Sequence, residues 1–291
     1  MRRTPIYLLI AFSVLCMATS SIIIRYSSAP AMVIALYRVT FTAILAAALG
    51  GRKMLAECQR LSKKDYALIG GAGVFLALHF SFWITSLGYT SISSSVLFTN
   101  LQVIFVLLFS IIILREKINI WITGGILIAI LGSSLIGLGD LANGKILGDM
   151  LALASGLFVA VYFIIGRQVR NRVQVWTYTT VVSIVAAVVL LLASTAMGLN
   201  LSDYPARDWL LFLLLALGPG IAGHGILNWA LKYVKAPIVA VSILGESVGA
   251  SMMAWLFFKE LLLWYQMIGG ILILTGIYIA ASREHKTVVV D

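Results

Sequence analysis

LGYTSISSSVLFTNLQVIFVLLFSIIILRE, residues 87–116, has a counterpart 144 positions later, without a gap, in LKYVKAPIVAVSILGESVGASMMAWLFFKE, residues 231–260. Tyr89 matches Tyr233, Glu116 matches Glu260, and Arg115 faces Lys259 as a conservative pair. Beyond the quoted stretches the same offset pairs Gly125 with Gly269 and Gly132 with Gly276. Each copy holds an apolar run long enough to cross a bilayer, which takes about 20 residues at a rise of about 1.5 Å each.

Working outward, further apolar runs fill nearly the whole chain. The candidate spans are Pro5–Ile24, Ala31–Gly50, Tyr66–Gly88, Ile92–Leu114 and Ile118–Leu138, then Met150–Arg167, Val173–Met197, Asp208–Leu231, Ala236–Phe258 and Leu263–Ala281. A short polar link at 139–149 divides them five and five, with a boundary between repeats at 139/140 (1–139 and 140–291). Five is odd, so the second half enters the membrane from the opposite side and the repeat is inverted. Inverted repeats that exchange conformations give alternating access, a transporter design. The expected fold is all-α and integral to the membrane: ten transmembrane helices as two inverted five-helix repeats, with no soluble domain.

Composition agrees. Of 291 residues, 61% are hydrophobic and 11% charged, with a mean hydropathy of +1.04, whereas soluble chains are about 25% charged. The net charge of +10 is spread as short basic clusters between apolar runs, which is a topology signal and excludes a nucleic-acid face. With the N-terminus inside, 16 Lys and Arg near span ends fall on the cytoplasmic side, among them Arg2, Arg52, Lys53, Arg60, Lys63, Lys64, Arg167, Arg170, Arg172, Arg283 and Lys286. Four fall opposite: Arg25, Lys145, Arg207 and Lys259. Both termini are therefore expected in the cytoplasm of a cell whose inner (plasma) membrane holds the chain. Trp121, Trp176, Trp209 and Trp264 sit near span ends, as amphipathic aromatics do. Arg2-Arg3 before an apolar run resembles a signal peptide, but the run continues to Ile24 and the repeat needs it, so it is expected to stay as the first helix. Cys16 and Cys58 have no metal-type spacing and are expected at different depths, unlinked.

Leu36-Tyr37-Arg38, the tract Leu87-Gly88-Tyr89, Asn100-Leu101-Gln102 and Leu114-Arg115-Glu116, and the second copy Leu231-Lys232-Tyr233, Gly245-Glu246, Phe258-Lys259-Glu260, Gln266 and Gly269 together resemble the drug/metabolite transporter superfamily, in its ten-helix EamA-type members. The resemblance covers nearly the whole chain and lies in the order and repetition of loose motifs. It implies export of small metabolites such as amino acids, with protons as a candidate coupling ion, and an arginine in the second helix with a structural or gating role. The family's usual proline in the fourth and ninth helices is replaced by Val103 and Ser247, which puts gating by bent helices in doubt.

Polar groups in hydrocarbon are expensive, about 2.5–3.5 kcal/mol for a charge at a helix centre by insertion scales, so each one present should face protein or a cavity. Glu246 is the acid deepest within a span; its repeat mate is Gln102. It is either a proton or cation-substrate site or the structural partner of Arg38. Arg38 in turn could bind a substrate carboxylate bidentately or neutralise Glu246. His79 and His224 could titrate near neutrality or serve only as packing groups. Trp83 and Asn228 follow them by one turn on the same faces. The expected substrate-binding or coupling set is Arg38, His79, Trp83, Asn100, Gln102, His224, Asn228 and Glu246. Gly218-Pro219-Gly220 should break or bend the eighth helix, and Gly245/Gly249, Gly125/Gly132 and Gly269/Gly276 read as close-packing positions.

No nucleotide loop, metal cluster or nucleophile–base pair stands at recognisable spacing, so no cofactor or metal is expected and ATP-driven transport within the chain is excluded. The leading reading is a secondary or facilitative carrier working as a monomer or homodimer, with a small-molecule substrate and membrane lipid as its partners. The alternative is a lipid-carrier flippase or accessory protein, or a membrane-embedded enzyme. The lipid reading calls for a lateral opening between helices in place of a closed central cavity.

Overall fold

The computed structural model describes residues 3–90, 92–139, 146–258 and 263–282. The first span is Arg3–Ala18 continued by Ser20–Arg25, the second Ala31–Cys58, the third Lys63–Ser86, and the fourth Ile92–Asn100 with Gln102–Ile112. Ile120–Gly139, Ile146–Val169 and Val175–Ala196 form the fifth, sixth and seventh. The eighth is Ala206–Leu215, Ala216–Gly225 and Ile226–Ala230, the ninth Ala236–Ile243 with Gly245–Phe258, and the tenth Trp264–Ser282. Among the described residues nine helical stretches are long and apolar enough to cross a membrane, and Ile120–Ile136 is a shorter apolar helix. Most of the 139–149 link lies outside the described residues, as do Arg2, Lys145, Lys259, Glu260, Arg283 and Lys286.

The two-fold relation between the halves is visible in the packing. The fifth and tenth spans form the most closely packed pair. A Cβ added at Gly125 would lie 2.6 Å from Gly276 O, and one at Gly132 would lie 2.5 Å from Gly269 O. The repeat offset sends Gly125 to Gly269 and Gly276 to Gly132, so each contact maps onto the other. That reciprocity is what a pseudo-two-fold axis between two antiparallel helices requires. Other pairs obey it too: third on sixth mirrors eighth on first, third on seventh mirrors eighth on second, and second on seventh is its own mirror. Small residues form the central seam because lipid supplies no hydrophobic drive between helices, so backbones must approach closely to gain contact.

The start of the first span and the end of the tenth lie on one face, which we call the termini face: the Tyr7 hydroxyl donates to Ala281 O at 3.2 Å. The second span turns there at Gly51, whose φ of 53° and ψ of −145° suit glycine alone. The third span opens with a reciprocal cap in which Ser62 accepts from Asp65 N and the Asp65 carboxylate accepts from Ser62 N. Arg170, just beyond the sixth span, donates to Asn228 O (3.0 Å) and to Val173 O. Burial lowers its pKa to about 10, so it remains a cation at neutral pH. Cys16 and Cys58 are free thiols.

Polarity is turned inside out, as lipid demands. Leu8, Phe12, Ile44, Leu131, Leu192 and Ile271 face outward, while Ser, Thr, Asn, Gln, His and Arg side chains are buried. Three spans carry local irregularities that bear on the interior. The fourth and ninth are interrupted at Leu101 and Leu244, one residue apart by the repeat offset, by tightened turns (Ile104 N to Leu101 O, Ser247 N to Leu244 O). These turns arise without the prolines, so an irregular fourth and ninth helix is retained. The eighth does not break at Gly218-Pro219-Gly220; it continues through ten residues of wide π-helical turns, Ala216–Gly225. Pro219 lacks an N–H and its ring crowds the preceding turn, and wider turns accommodate both defects.

Candidate functional site

Seven of the eight residues singled out in the sequence line one central cavity of about 40 Å³: Arg38, His79, Trp83, Asn100, Gln102, His224 and Glu246. The third, fourth, eighth and ninth spans contribute as expected. The first, second and sixth also do, through Met17, Ser20, Arg38, Val159 and Phe163. Asn228 is the exception. It lines an adjoining cavity of about 20 Å³ on the termini side, together with Thr179, Tyr162 and Gly220. Arg38, Phe80 and His224 line both cavities and so stand between them.

Arg38 is 2% exposed and rigidly held. Its guanidinium donates to Ser20 Oγ at 3.0 Å and lies 4.2 Å from the centre of the Phe80 ring. A desolvated cation over an aromatic face gains about 2 kcal/mol or more, which offsets part of the cost of burial. The Thr42 hydroxyl donates to Arg38 O at 2.7 Å. Arg38 and Glu246 share the cavity but are not in ion-pair contact; among the described residues the ion pairs are Arg167–Glu116 (2.9 Å) and Arg172–Asp65 (2.6 Å). The direct salt bridge considered for Glu246 is therefore absent, because Ser20 and Phe80 hold the guanidinium instead.

His79 Nδ1 lies 2.8 Å from Ser155 Oγ and 3.2 Å from Ser155 O. Its ring is nearly parallel to that of Trp83, with centres 6.3 Å apart. Gly156, beside Ser155, lets the sixth span approach the fourth: a Cβ there would lie 2.8 Å from Thr99 O. Asn100 Nδ2 donates to Ser247 Oγ at 3.1 Å, joining the two interrupted helices next to their tightened turns. Gln102 Oε1 is buried without a partner. His224 stands among Phe80, Tyr162, Phe163 and His79, with ring centres 5.6 to 6.4 Å away. Its Nδ1 and Asn228 Oδ1 have no hydrogen-bond partner, and Asn228 Nδ2 donates to the Tyr162 hydroxyl.

Sequence reasoning missed Ser20, Phe80, Thr99, Ser155, Tyr162 and Phe163. Serine, threonine and phenylalanine are common in membrane helices, and nothing local separates those facing the cavity from the rest. A site for a small molecule usually encloses about 300–1,000 Å³. At about 40 Å³ the cavity holds a few waters, so helices must part before a metabolite can enter. Described residues offer no cluster of three or more His, Cys, Asp or Glu side chains that could hold a metal ion.

Residues 4–138 and 146–282 each match the model of the EamA-like transporter family. Uncharacterised transporters of two archaea are similar: that of Methanothermobacter thermautotrophicus is 27% identical over 68% of this chain and 59% of its own length. That of Archaeoglobus fulgidus is 24% identical over 93% and 94%. The pseudopaline exporter CntI of Pseudomonas aeruginosa is 28% identical over 78% of each chain. A solved crystal structure superposes with a TM-score of 0.78, at 17% identity, over 98% of this chain and 99% of its own.

Proposed function

Because the chain belongs to the EamA-like transporter family, we propose that this multi-pass transporter is a secondary exporter of small zwitterionic metabolites, amino acids and their derivatives among them. The observation that carries this reading is the cavity itself, where a fixed cation, Arg38, and a carboxyl outside ion-pair contact with it, Glu246, line one cavity between the repeats. Arg38 suits a substrate carboxylate, which a guanidinium binds through two parallel hydrogen bonds. Glu246 suits an ammonium group or a proton. His79, Trp83, Asn100, Gln102 and His224 supply a stacking face and hydrogen-bond groups. Asn228 acts from the adjoining cavity. Export is supported by the Pseudomonas relative, which exports pseudopaline. The basic bias of the termini face supports an orientation with both termini in the cytoplasm of the plasma membrane.

The flippase alternative is less well supported. Arg38, Asn100, Gln102 and His224 of the central cavity are buried side chains, and the large apolar groove of about 670 Å³ between the first, ninth and tenth spans shares none of the cavity's lining residues. Gly245 lines that groove and Glu246 lines the cavity, so the ninth span stands between the two.

A carboxyl-based proton step falls on the second repeat, because Gln102, the mate of Glu246, cannot change charge, and His79 and His224 are the remaining titratable candidates. Glu246 releases its proton, or exchanges it for substrate, when the cavity opens to one face, and rebinds a proton when it opens to the other. Glu246→Gln copies the first repeat's residue, keeps the size and removes titration. In proteoliposomes tested with a panel of radiolabelled amino acids, the variant should carry substrate down its own gradient yet lose accumulation driven by an imposed pH gradient. Accumulation equal to that of the wild type would remove Glu246 as the coupling group.

A further inference from the structure

The contacts that close the bundle at its two faces are also related by the repeat. On the termini face Asp65, the third residue of its helix, accepts from Arg172 Nε at 2.6 Å. On the opposite face Asp208, also the third residue of its helix, accepts from Ser28 N at 3.1 Å and from Ser28 Oγ at 2.5 Å. Ser28 and Arg172 are separated by the repeat offset of 144, and Asp65 and Asp208 by 143. A second set shares one member by the same offset, its partner on the second span lying four residues past the mate of Thr177. The Glu57 carboxylate accepts from Gln174 N at 3.0 Å and from the Thr177 hydroxyl, while Leu201, its mate at 144, accepts through its carbonyl from the Tyr37 hydroxyl.

Every one of these contacts joins a residue of one half to a residue of the other. A motion that opens a face by parting the halves must therefore break the contacts of that face and can leave those of the other intact. We infer that Asp65–Arg172 and Asp208–Ser28 are the two gate latches of the transport cycle, equivalent in position and different in chemistry. The termini latch is an ion pair whose arginine is 46% exposed. The opposite latch is a carboxylate, 1% exposed, held by a hydroxyl and a backbone N–H. Salt screens exposed ion pairs and leaves buried neutral-donor bonds almost untouched. Ionic strength therefore favours opening at the termini face and has little effect on the other. The inference rests on the reading of this chain as an alternating-access carrier, and it concerns Arg172 and Ser28 as positioning residues that touch no substrate.

The test follows access without any transport assay, so it can fail separately from the proposed substrate and coupling. In a background with Cys16 and Cys58 replaced by alanine, Thr179→Cys reports the termini-side cavity and Val96→Cys the central cavity. Each reporter, in the purified full-length chain in nanodiscs, is labelled with a sulfonated maleimide at low and high potassium chloride. Exposed ion pairs contribute about 0.2–1 kcal/mol, so labelling at position 179 should rise by a factor of about 1.4 to 5 with salt. Arg172→Ser should raise it by a similar factor and abolish the salt effect. Ser28→Arg should slow labelling at position 96 and make it salt-dependent, because it builds the ionic latch on the other face. Thermal unfolding of each variant in detergent checks that it remains folded, and Ser28→Arg, at an exposed position, keeps the test decisive if Arg172→Ser unfolds. Unchanged rates in both variants, or parallel changes at both reporters, would overturn the latch assignment.

Discussion

Replacing Gly276 with alanine tests the seam on which the two-fold relation rests. The new methyl would lie 2.4 Å from Gly125 O, 2.7 Å from Ala129 N and 2.8 Å from Ala129 Cβ. All three neighbours are backbone or the stub of a side chain, so no rotamer change relieves the clash. An ordinary carbon–oxygen contact needs about 3.3–3.6 Å, so the fifth and tenth helices must separate by roughly 1 Å at this crossing. Overpacking of this kind costs about 1–3 kcal/mol. Gly132→Ala, facing Gly269 O at 2.5 Å, should cost a similar amount, because the pseudo-two-fold relates the two sites. Combining Gly125→Ala with Gly276→Ala should cost less than the sum, since one separation relieves both clashes. Gly124 has nothing within 4 Å of an added Cβ, so Gly124→Ala should be neutral or stabilising by up to about 1 kcal/mol through helix propensity. Equilibrium unfolding in mixed detergent micelles reads these variants and the single Gly125→Ala that the sum requires. A Gly276→Ala protein as stable as wild type, or a Gly124→Ala protein as impaired as Gly276→Ala, would refute the seam.

Three further substitutions probe the partition between the cavities. Gly220→Ala would place a methyl 2.4 Å from Thr42 Oγ1, so it should lower stability by about 1–2 kcal/mol. Thr42→Ala should restore much of that loss in a thermal-shift double-mutant cycle, whereas purely additive losses would contradict the contact. Phe80→Leu keeps an apolar filler but removes the face beneath Arg38, and should cost about 2 kcal/mol, read as a lowered unfolding midpoint in detergent. An unchanged midpoint would show that Arg38 does not depend on that ring.

Much of this arrangement was legible in the sequence because lipid makes polarity conspicuous. Against an apolar background Arg38, His79, Gln102, His224 and Glu246 could each be singled out without knowing the fold, and one cavity gathers them. The five-plus-five count and the offset joining Gly125 to Gly269 led to the inverted repeat. Other features depend on distances that no local pattern encodes. Charge alone would pair Arg38 with Glu246; Ser20 and Phe80, which hold the guanidinium, look like ordinary helix residues. Asn228 shares the face of His224, as their spacing required, but the ring of His224 is large enough to reach both cavities and the amide of Asn228 lines only one. The turn at Leu101 carries no glycine or proline to mark it, and Gly245 in the turn at Leu244 reads equally as a close-packing position. Ser28 and Asp208 resemble any loop serine and helix-start aspartate until the offset of 144 sets Ser28 beside Arg172.

The central claim is that substrate passes through the cavity between the repeats, and Thr99, which lines it with its hydroxyl 3.3 Å from Ala152 O, offers the most direct test. Thr99→Cys, with Cys16 and Cys58 replaced by alanine, is reconstituted in proteoliposomes and assayed for uptake of a radiolabelled amino-acid panel before and after reaction with a small maleimide. The account predicts that derivatisation abolishes uptake of whichever compound is carried, and that an excess of that compound slows the labelling. Full transport by the derivatised protein would place the route elsewhere.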